Sequence, residues 1–308
     1  MNAAARLTRR LLDSGSRRVA FVGLAKNAGK TTALVAVLEE LARRGVPAGA
    51  TSVGRDGEDF DALTGEPKPR FRLWPGQLAA SAESTFSAGA LAALPLERLP
   101  FDTRFGAVVV QRISEPGELE MIGPATASQT SQTAAALERH GARVVLLDGA
   151  FGRRAFASAR VADGVVLAVG MSAGANLETV LFRARSAAEL VALGPAPPGR
   201  PVRSFDGALT DESLRGMEAT EGLVLVARDF ASIFLTESAR RALAEQGVSL
   251  AVARPSRLLA VTANPSAPGR PGLPARDFFG ALGEALPGAA LYDLEADLVR
   301  EPEATSAP

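Results

Sequence analysis

The sequence predicts an α/β fold of three layers around a mainly parallel central sheet. Three observations carry this expectation. Short β-branched apolar runs alternate with amphipathic stretches of helical period. A glycine-rich turn, Gly23–Lys30, joins the first run to the first of these stretches. A later apolar run, Val144–Leu147, ends in Asp148, the pattern of a buried strand that delivers an acid to the sheet edge.

Each element follows from local composition. Arg17–Val22 is short and apolar and reads as a buried strand. Thr31–Arg44 places Leu34, Val37, Leu38 and Leu41 on one helical face, and Gly45 ends it. Ala48–Val53 gives a second strand, which makes a strand–loop–helix–strand unit. Residues 54–105 are less regular, and Gly54–Pro69 reads as a polar loop. Phe105–Ile113 and Glu118–Ile122 flank Glu115-Pro116-Gly117 and predict a hairpin at the sheet edge. A helix over Ser128–Arg139, capped by Ser128, precedes the strand that ends at Asp148. Val161–Val169 is a further buried strand and Leu177–Leu193 a helix.

Pro195–Pro201 marks a break, so residues 1–200 read as the core and 201–308 as a C-terminal α/β part, which either forms a separate domain or, the favoured reading, extends the same sheet. In the extension, strands are expected at Gly222–Arg228, Ser249–Ala253, Leu258–Ala263 and Ala290–Asp293. Helices are expected at Glu237–Gln246 and Arg276–Leu286.

Composition excludes several classes. The chain has 308 residues, 47% hydrophobic and 22% charged, enough to bury a substantial core. Lys+Arg and Asp+Glu both number 34, so no basic surplus points to nucleic acid. There is no cysteine, which removes disulfides and thiolate chemistry, and the single His140 cannot form a metal cluster alone. The apolar run Val19–Ala25 falls far short of the roughly 20 residues a spanning helix needs. Met1–Leu12 lacks the hydrophobic region of a signal peptide, so a cytoplasmic protein without a membrane partner is expected.

Of the 34 basic residues, 31 are arginine and three are lysine: Lys26, Lys30 and Lys68. Two of the three lie four positions apart in one glycine-rich turn. Lysine is a compact point charge where arginine is a broad planar fork, and a narrow phosphate cradle accepts the former. A triphosphate needs converging N–H donors and a neutralising cation, which a turn opening a helix supplies. Gly23-Leu24-Ala25-Lys26-Asn27-Ala28-Gly29-Lys30-Thr31-Thr32 therefore reads as a P-loop for MgATP. Gly23, Lys26, Asn27, Ala28, Gly29 and Thr32 would line it, Lys30 would reach the β- and γ-phosphates, and the Thr31 hydroxyl would ligate Mg²⁺.

Asp148 is the candidate second Mg²⁺ ligand and catalytic acid, because it caps a buried strand; an Asp that merely caps a turn has the same local sequence. Asp56 is the candidate third, nearest the strand end among Asp56, Glu58, Asp59 and Asp61; a solvated acidic loop has the same composition. Gly54–Glu58 with Pro67-Lys68-Pro69-Arg70 could be a nucleotide-dependent switch loop or a surface excursion. Asn264 ends another strand and could read a purine, although Asn264-Pro265 is also a good turn starter. Arg153 and Arg154 could touch phosphate or a partner. No Asn-Lys-x-Asp guanine-reading motif is present, which favours ATP over GTP.

Gly23 and Gly29 enclose five residues where the usual P-loop encloses four, and this lengthened loop resembles that of dethiobiotin synthetases. These belong to the same broad group as the cell-division and chromosome-partitioning ATPases. The resemblance implies a signature lysine, a role that falls to Lys26 with spacing one residue short. It also matches Asp148-Gly149-Ala150 to the acid-Gly-Ala at that strand end, and implies base recognition by Asn264.

Several segments together resemble the P-loop subunit of the reactivating factor for adenosylcobalamin-dependent lysine 5,6-aminomutase and its ornithine relatives. They are Gly23–Thr32, Ser52–Glu58, Pro67–Arg70, Leu147–Ala150, Ala162–Val166 and Ala260–Pro265. That resemblance implies a chaperone-like ATPase that works with a partner reactivase subunit on a client aminomutase. Two other readings stand beside it: a dethiobiotin-synthetase-like carboxylate ligase, and a nucleotide-gated regulatory protein.

Overall fold

Residue parity along the first strand sets the layers. In β1 (Arg18–Gly23), Val19 and Phe21 enter one hydrophobic core, and Ala20 and Val22 the other. Both faces of the strand are therefore covered, as parallel sheets require. The computed structural model describes residues 1–53, 70–88, 91–150, 157–269 and 271–302. The helices are α1 (Ala3–Asp13), α2 (Lys30–Arg43), α3 (Glu83–Ala88), α4 (Ala127–Arg139), α5 (Leu177–Val191), α6 (Glu237–Glu245) and α7 (Ala275–Ala285). The strands after β1 are β2 (Ala48–Ser52), β3 (Phe71–Leu73), β4 (Leu78–Ala82), β5 (Ala93–Thr103), β6 (Gly106–Ile113), β7 (Gly117–Leu119), β8 (Val144–Ala150) and β9 (Gly164–Gly170). Then come β10 (Val202–Phe205), β11 (Leu209–Thr210), β12 (Val224–Ala227), β13 (Ile233–Phe234), β14 (Ser249–Val252), β15 (Arg257–Asn264), β16 (Leu291–Asp293) and β17 (Leu298–Arg300).

Ten strands form the central sheet in the order β17-β16-β15-β9-β1-β8-β2-β4-β6-β5. The seven from β16 to β4 run parallel. Leu7, Leu11, Leu34, Leu38 and Leu41 place α1 and α2 on one face. Leu137, Val180, Phe278 and Leu282 place α4, α5 and α7 on the other. This α/β arrangement, with a large and mostly parallel sheet, is compatible with three layers. The chain crosses from β8 over β1 to β9, so β1 lies between connections that leave in opposite directions. In open α/β sheets, ligands bind outside the carboxyl ends of the strands at such a point.

Residues 257–300 join the ten-stranded sheet, whereas β10, β12 and β14 form a three-stranded parallel sheet with its own small core of Leu209, Leu225, Ile233 and Val252. At the amino end, α1 is held to the far edge by the Arg6–Glu301 ion pair at 2.5 Å and by Ala3 N–H donating to Asp297 Oδ1.

Two local expectations are corrected. Glu115-Pro116-Gly117 does not join a hairpin: β6 pairs with β4 and β5, while β7 pairs antiparallel with β3 in a separate ribbon. Both edges of β6 are occupied, so β7 has no place beside it. The strand expected to precede the turn thus finds its hairpin partner upstream, in β5, whose exposed, Pro-containing edge sequence carries little apolar signal. The N-cap of α4 is Thr126 instead of Ser128, and its Oγ1 accepts from Gln129 N–H at 3.2 Å.

Arg18 on β1 reaches across to α4. Its Nε and Nη2 donate to the two Glu138 carboxylate oxygens at 2.9 and 2.8 Å. The hydrogen bonds from Arg18 hold the Glu138 carboxyl below its usual 4.5 against the opposing effect of burial. A depressed folded-state value stabilises above the unfolded pKa and is lost as pH falls through the folded one. Glu138→Gln is expected to lower stability by about 1–2 kcal/mol at pH 7. Urea unfolding should show the difference from wild type shrinking as pH falls below ~4.5, where the unfolded chain takes up the proton first, and vanishing once folded-state Glu138 is protonated as well.

Candidate functional site

The β1–α2 turn leaves the sheet at its carboxyl edge beside the ends of β8, β9 and β15. Asn27 and Gly29 adopt left-handed backbone conformations, with φ of 58° and 83°, and Gly29 is the N-cap of α2. At Gly29 a Cβ would lie 3.1 Å from Asn264 Cβ, so conformation and space both favour glycine.

The carbonyls of this turn are tied back to the protein. Lys26 O accepts from Ser172 Oγ at 2.7 Å, Asn27 O from Asn264 Nδ2 at 2.9 Å, and Gly29 O from Ala33 N–H at 3.0 Å. The N–H groups of residues 27–32 find no acceptor among the described residues. The turn thus presents donors, and the partial positive charge at the start of the 14-residue α2 adds to them.

Strand parity brings the acid to this turn. Val144 and Leu146 of β8 pack on the α1/α2 face, so Asp148, two positions further, faces the same way. There it meets Lys30 on the first turn of α2, with Nζ 2.5 Å from Oδ1. Asp148 is 3% exposed and Lys30 20%. The ammonium is within ion-pair distance but off the hydrogen-bonding direction, since Oδ1 makes no directed hydrogen bond. A buried carboxylate with one electrostatic partner and spare acceptor capacity can take a further cation or donor.

The sequence-derived residues are therefore brought together unequally. Gly23, Ala28, Gly29, Lys30 and Asp148 converge where β1 passes into α2. Thr31 is half-buried on the first turn of the helix, and Thr32 is exposed in a shallow groove with Thr262, Asn264 and Glu295. Lys26 is exposed at the rim. Asn264 donates to Asn27 O and accepts from Ser266 N–H at 3.0 Å, so its amide braces the turn. Asp56, Glu58, Asp59, Asp61, Lys68, Arg153 and Arg154 lie outside the described residues.

Two supporting residues escaped sequence reasoning. Gly170 ends β9 against the turn, where a Cβ would fall 2.7 Å from the Ala28 Cα, and Ser172 holds the Lys26 carbonyl. A glycine closing a buried strand was the one available signal for the first; nothing local marked the second. Comparison with family models, with curated proteins and with solved structures gave no match.

Amide donors, a helix start and an ammonium lie together in this turn, a set of groups that suits an oxyanion. The residues here also fit a divalent ion beside that anion. Among the described residues no three acids or imidazoles gather, so its ligands would be Asp148, Thr31 and oxygens of the anion itself.

Proposed function

We propose that the β1–α2 turn is a P-loop that binds MgATP, and that the protein hydrolyses it. The observation that carries this reading is the placement of Lys30 Nζ against buried Asp148 at the mouth of a donor-lined turn. Residues 27–32 would bind the phosphates through their N–H groups, and Lys30 would turn from Asp148 to the β- and γ-phosphate oxygens. Asp148 and Thr31 would then hold Mg²⁺, which when bound neutralises charge on the polyphosphate. Gly29 and Gly170 leave room for close backbone approach, and Asn264 and Ser172 keep the turn's carbonyls away from the anion.

The resemblance to reactivating factors gives this turnover a use: conformational work on an adenosylcobalamin-dependent aminomutase, together with a partner subunit. Steady-state hydrolysis measured with and without such a mutase tests that extension, and stimulation is expected.

The core of the proposal has its own test. Asp148→Asn is expected to reduce Mg²⁺-dependent hydrolysis by about 100-fold or more while retaining measurable nucleotide affinity. Single-turnover hydrolysis and calorimetric titration report the two effects separately. Undiminished turnover in the variant would remove Asp148 from the metal site.

A further inference from the structure

A second site stands apart from the nucleotide turn. A cleft of about 410 Å³ opens between the first two turns of α4, the segment 157–161 and the 228–234 turn of the small lobe. The 228–234 turn is firmly seated, because Phe230 is fully buried in the core shared with α4 and α5.

Asp229 lines this cleft and is 1% exposed. Its Oδ1 accepts from Ser232 Oγ at 2.9 Å, while Oδ2 has no hydrogen-bond partner. The nearest cation, Arg228 Nε, is 3.8 Å from Oδ2 and beyond hydrogen-bond reach. A carboxylate oxygen left without a donor in so dry a place is costly, and a donor arriving through the cleft would remove that cost. A cationic donor such as an ammonium makes a stronger bond there than a neutral one.

The opposite charge lies on more exposed parts of the lining. Arg160 is exposed and makes no ion pair with a described residue, whereas Arg228 stays beside the acid, its Nη2 donating to Ser232 Oγ at 3.4 Å. Ser131 and Gln132 of α4 add neutral polar groups to the wall. An acid withdrawn from solvent and a guanidinium open to it complement a small molecule with an ammonium at one end and a carboxylate at the other. We propose that this cleft binds a zwitterionic ω-amino acid, with its ammonium on Asp229 and its carboxylate on Arg160. The site needs no nucleotide and does not depend on the function proposed above.

The test is calorimetric titration of the full-length, nucleotide-free protein with 4-aminobutyrate, 5-aminovalerate and 6-aminohexanoate, with butyrate and butylamine as single-charge controls. At least one zwitterion should bind with a Kd below ~1 mM, and both controls roughly tenfold more weakly. Arg160→Gln, a surface change that leaves the fold alone, should weaken binding about tenfold, and Asp229→Asn should weaken it further. Lys30→Ala should leave it unchanged. The proposal is overturned if none of the three zwitterions binds at ~10 mM, if Arg160→Gln binds like wild type, or if Lys30→Ala abolishes binding.

Discussion

Lys30→Ala is expected to weaken MgATP binding by about 100-fold or more and to abolish hydrolysis, because it removes the ammonium that lies against Asp148. The same change should also affect the nucleotide-free protein. Asp148 would keep a buried charge with its cation gone, and breaking such a pair costs more than the pair itself contributes. With Lys30 partly exposed to screening, a loss of about 1–3 kcal/mol is expected. The double variant Lys30→Ala/Asp148→Asn separates the two effects. A neutral amide leaves no orphaned charge, so urea unfolding should recover much of the lost stability while calorimetry shows no recovery of nucleotide binding. If the single variant binds MgATP like wild type, the assignment of the turn fails. If stability does not recover in the double variant, the Lys30–Asp148 contact is not what stabilises the empty site.

Gly123→Ala should produce the largest change in stability. A Cβ on Gly123 would lie 1.6 Å from the Ser52 carbonyl oxygen and 2.6 Å from the carbon that bears it. Both are backbone atoms, so no rotamer can relieve the overlap. The segment cannot easily retreat either. Ile122 O accepts from Ala82 N–H at 2.8 Å, and Ile122 N–H donates to Ser81 Oγ at 2.9 Å. Ser52 is itself held in the sheet beside Asp148. One of these strand ends must therefore move, at a cost of about 3–5 kcal/mol. Thermal unfolding should show a large drop in midpoint or no soluble protein. A midpoint close to wild type would mean that Ser52 and Gly123 are not in backbone contact. In a variant that does fold, the displaced β2 end should also weaken MgATP binding through Asp148.

Legibility in the sequence followed the range of the interactions involved. Buried parallel strands such as Val165–Val169 and Leu258–Ala263 are apolar on both faces and declare themselves in a window of a few residues. The helices α2, α4, α5, α6 and α7 show their period for the same reason. Edge elements do not. β5 is largely solvated, with Glu97 and Arg98 between two prolines, so its only marker is the pairing with β6. The amphipathic α1 was not read from the sequence, and its buried face is explained by its packing against α2 and β16.

At the site, the spacing of glycines and lysines in residues 23–32 singled out the turn, because each residue there does its work through its own backbone or a short reach. Asp148 was legible as an acid ending a buried run. Its pairing with Lys30 depended on which face of β8 it occupies and on β8 lying beside β1. The braces at Ser172 and Asn264 are 146 and 237 residues from the carbonyls they hold, and no local pattern records such distances. The cleft around Asp229 is further still from anything periodic, because it exists only where α4, residues 157–161 and the small lobe come together.

By itself, then, the sequence determined the α/β class, most of the helices, the buried strands and the donor-rich turn, all products of local periodicity and backbone chemistry. Strand order, the partners of β6 and β7, the Lys30–Asp148 contact and the second cleft were decided only by the tertiary structure. These depend on which distant segments share a surface, and that choice is made by burial summed over the whole chain.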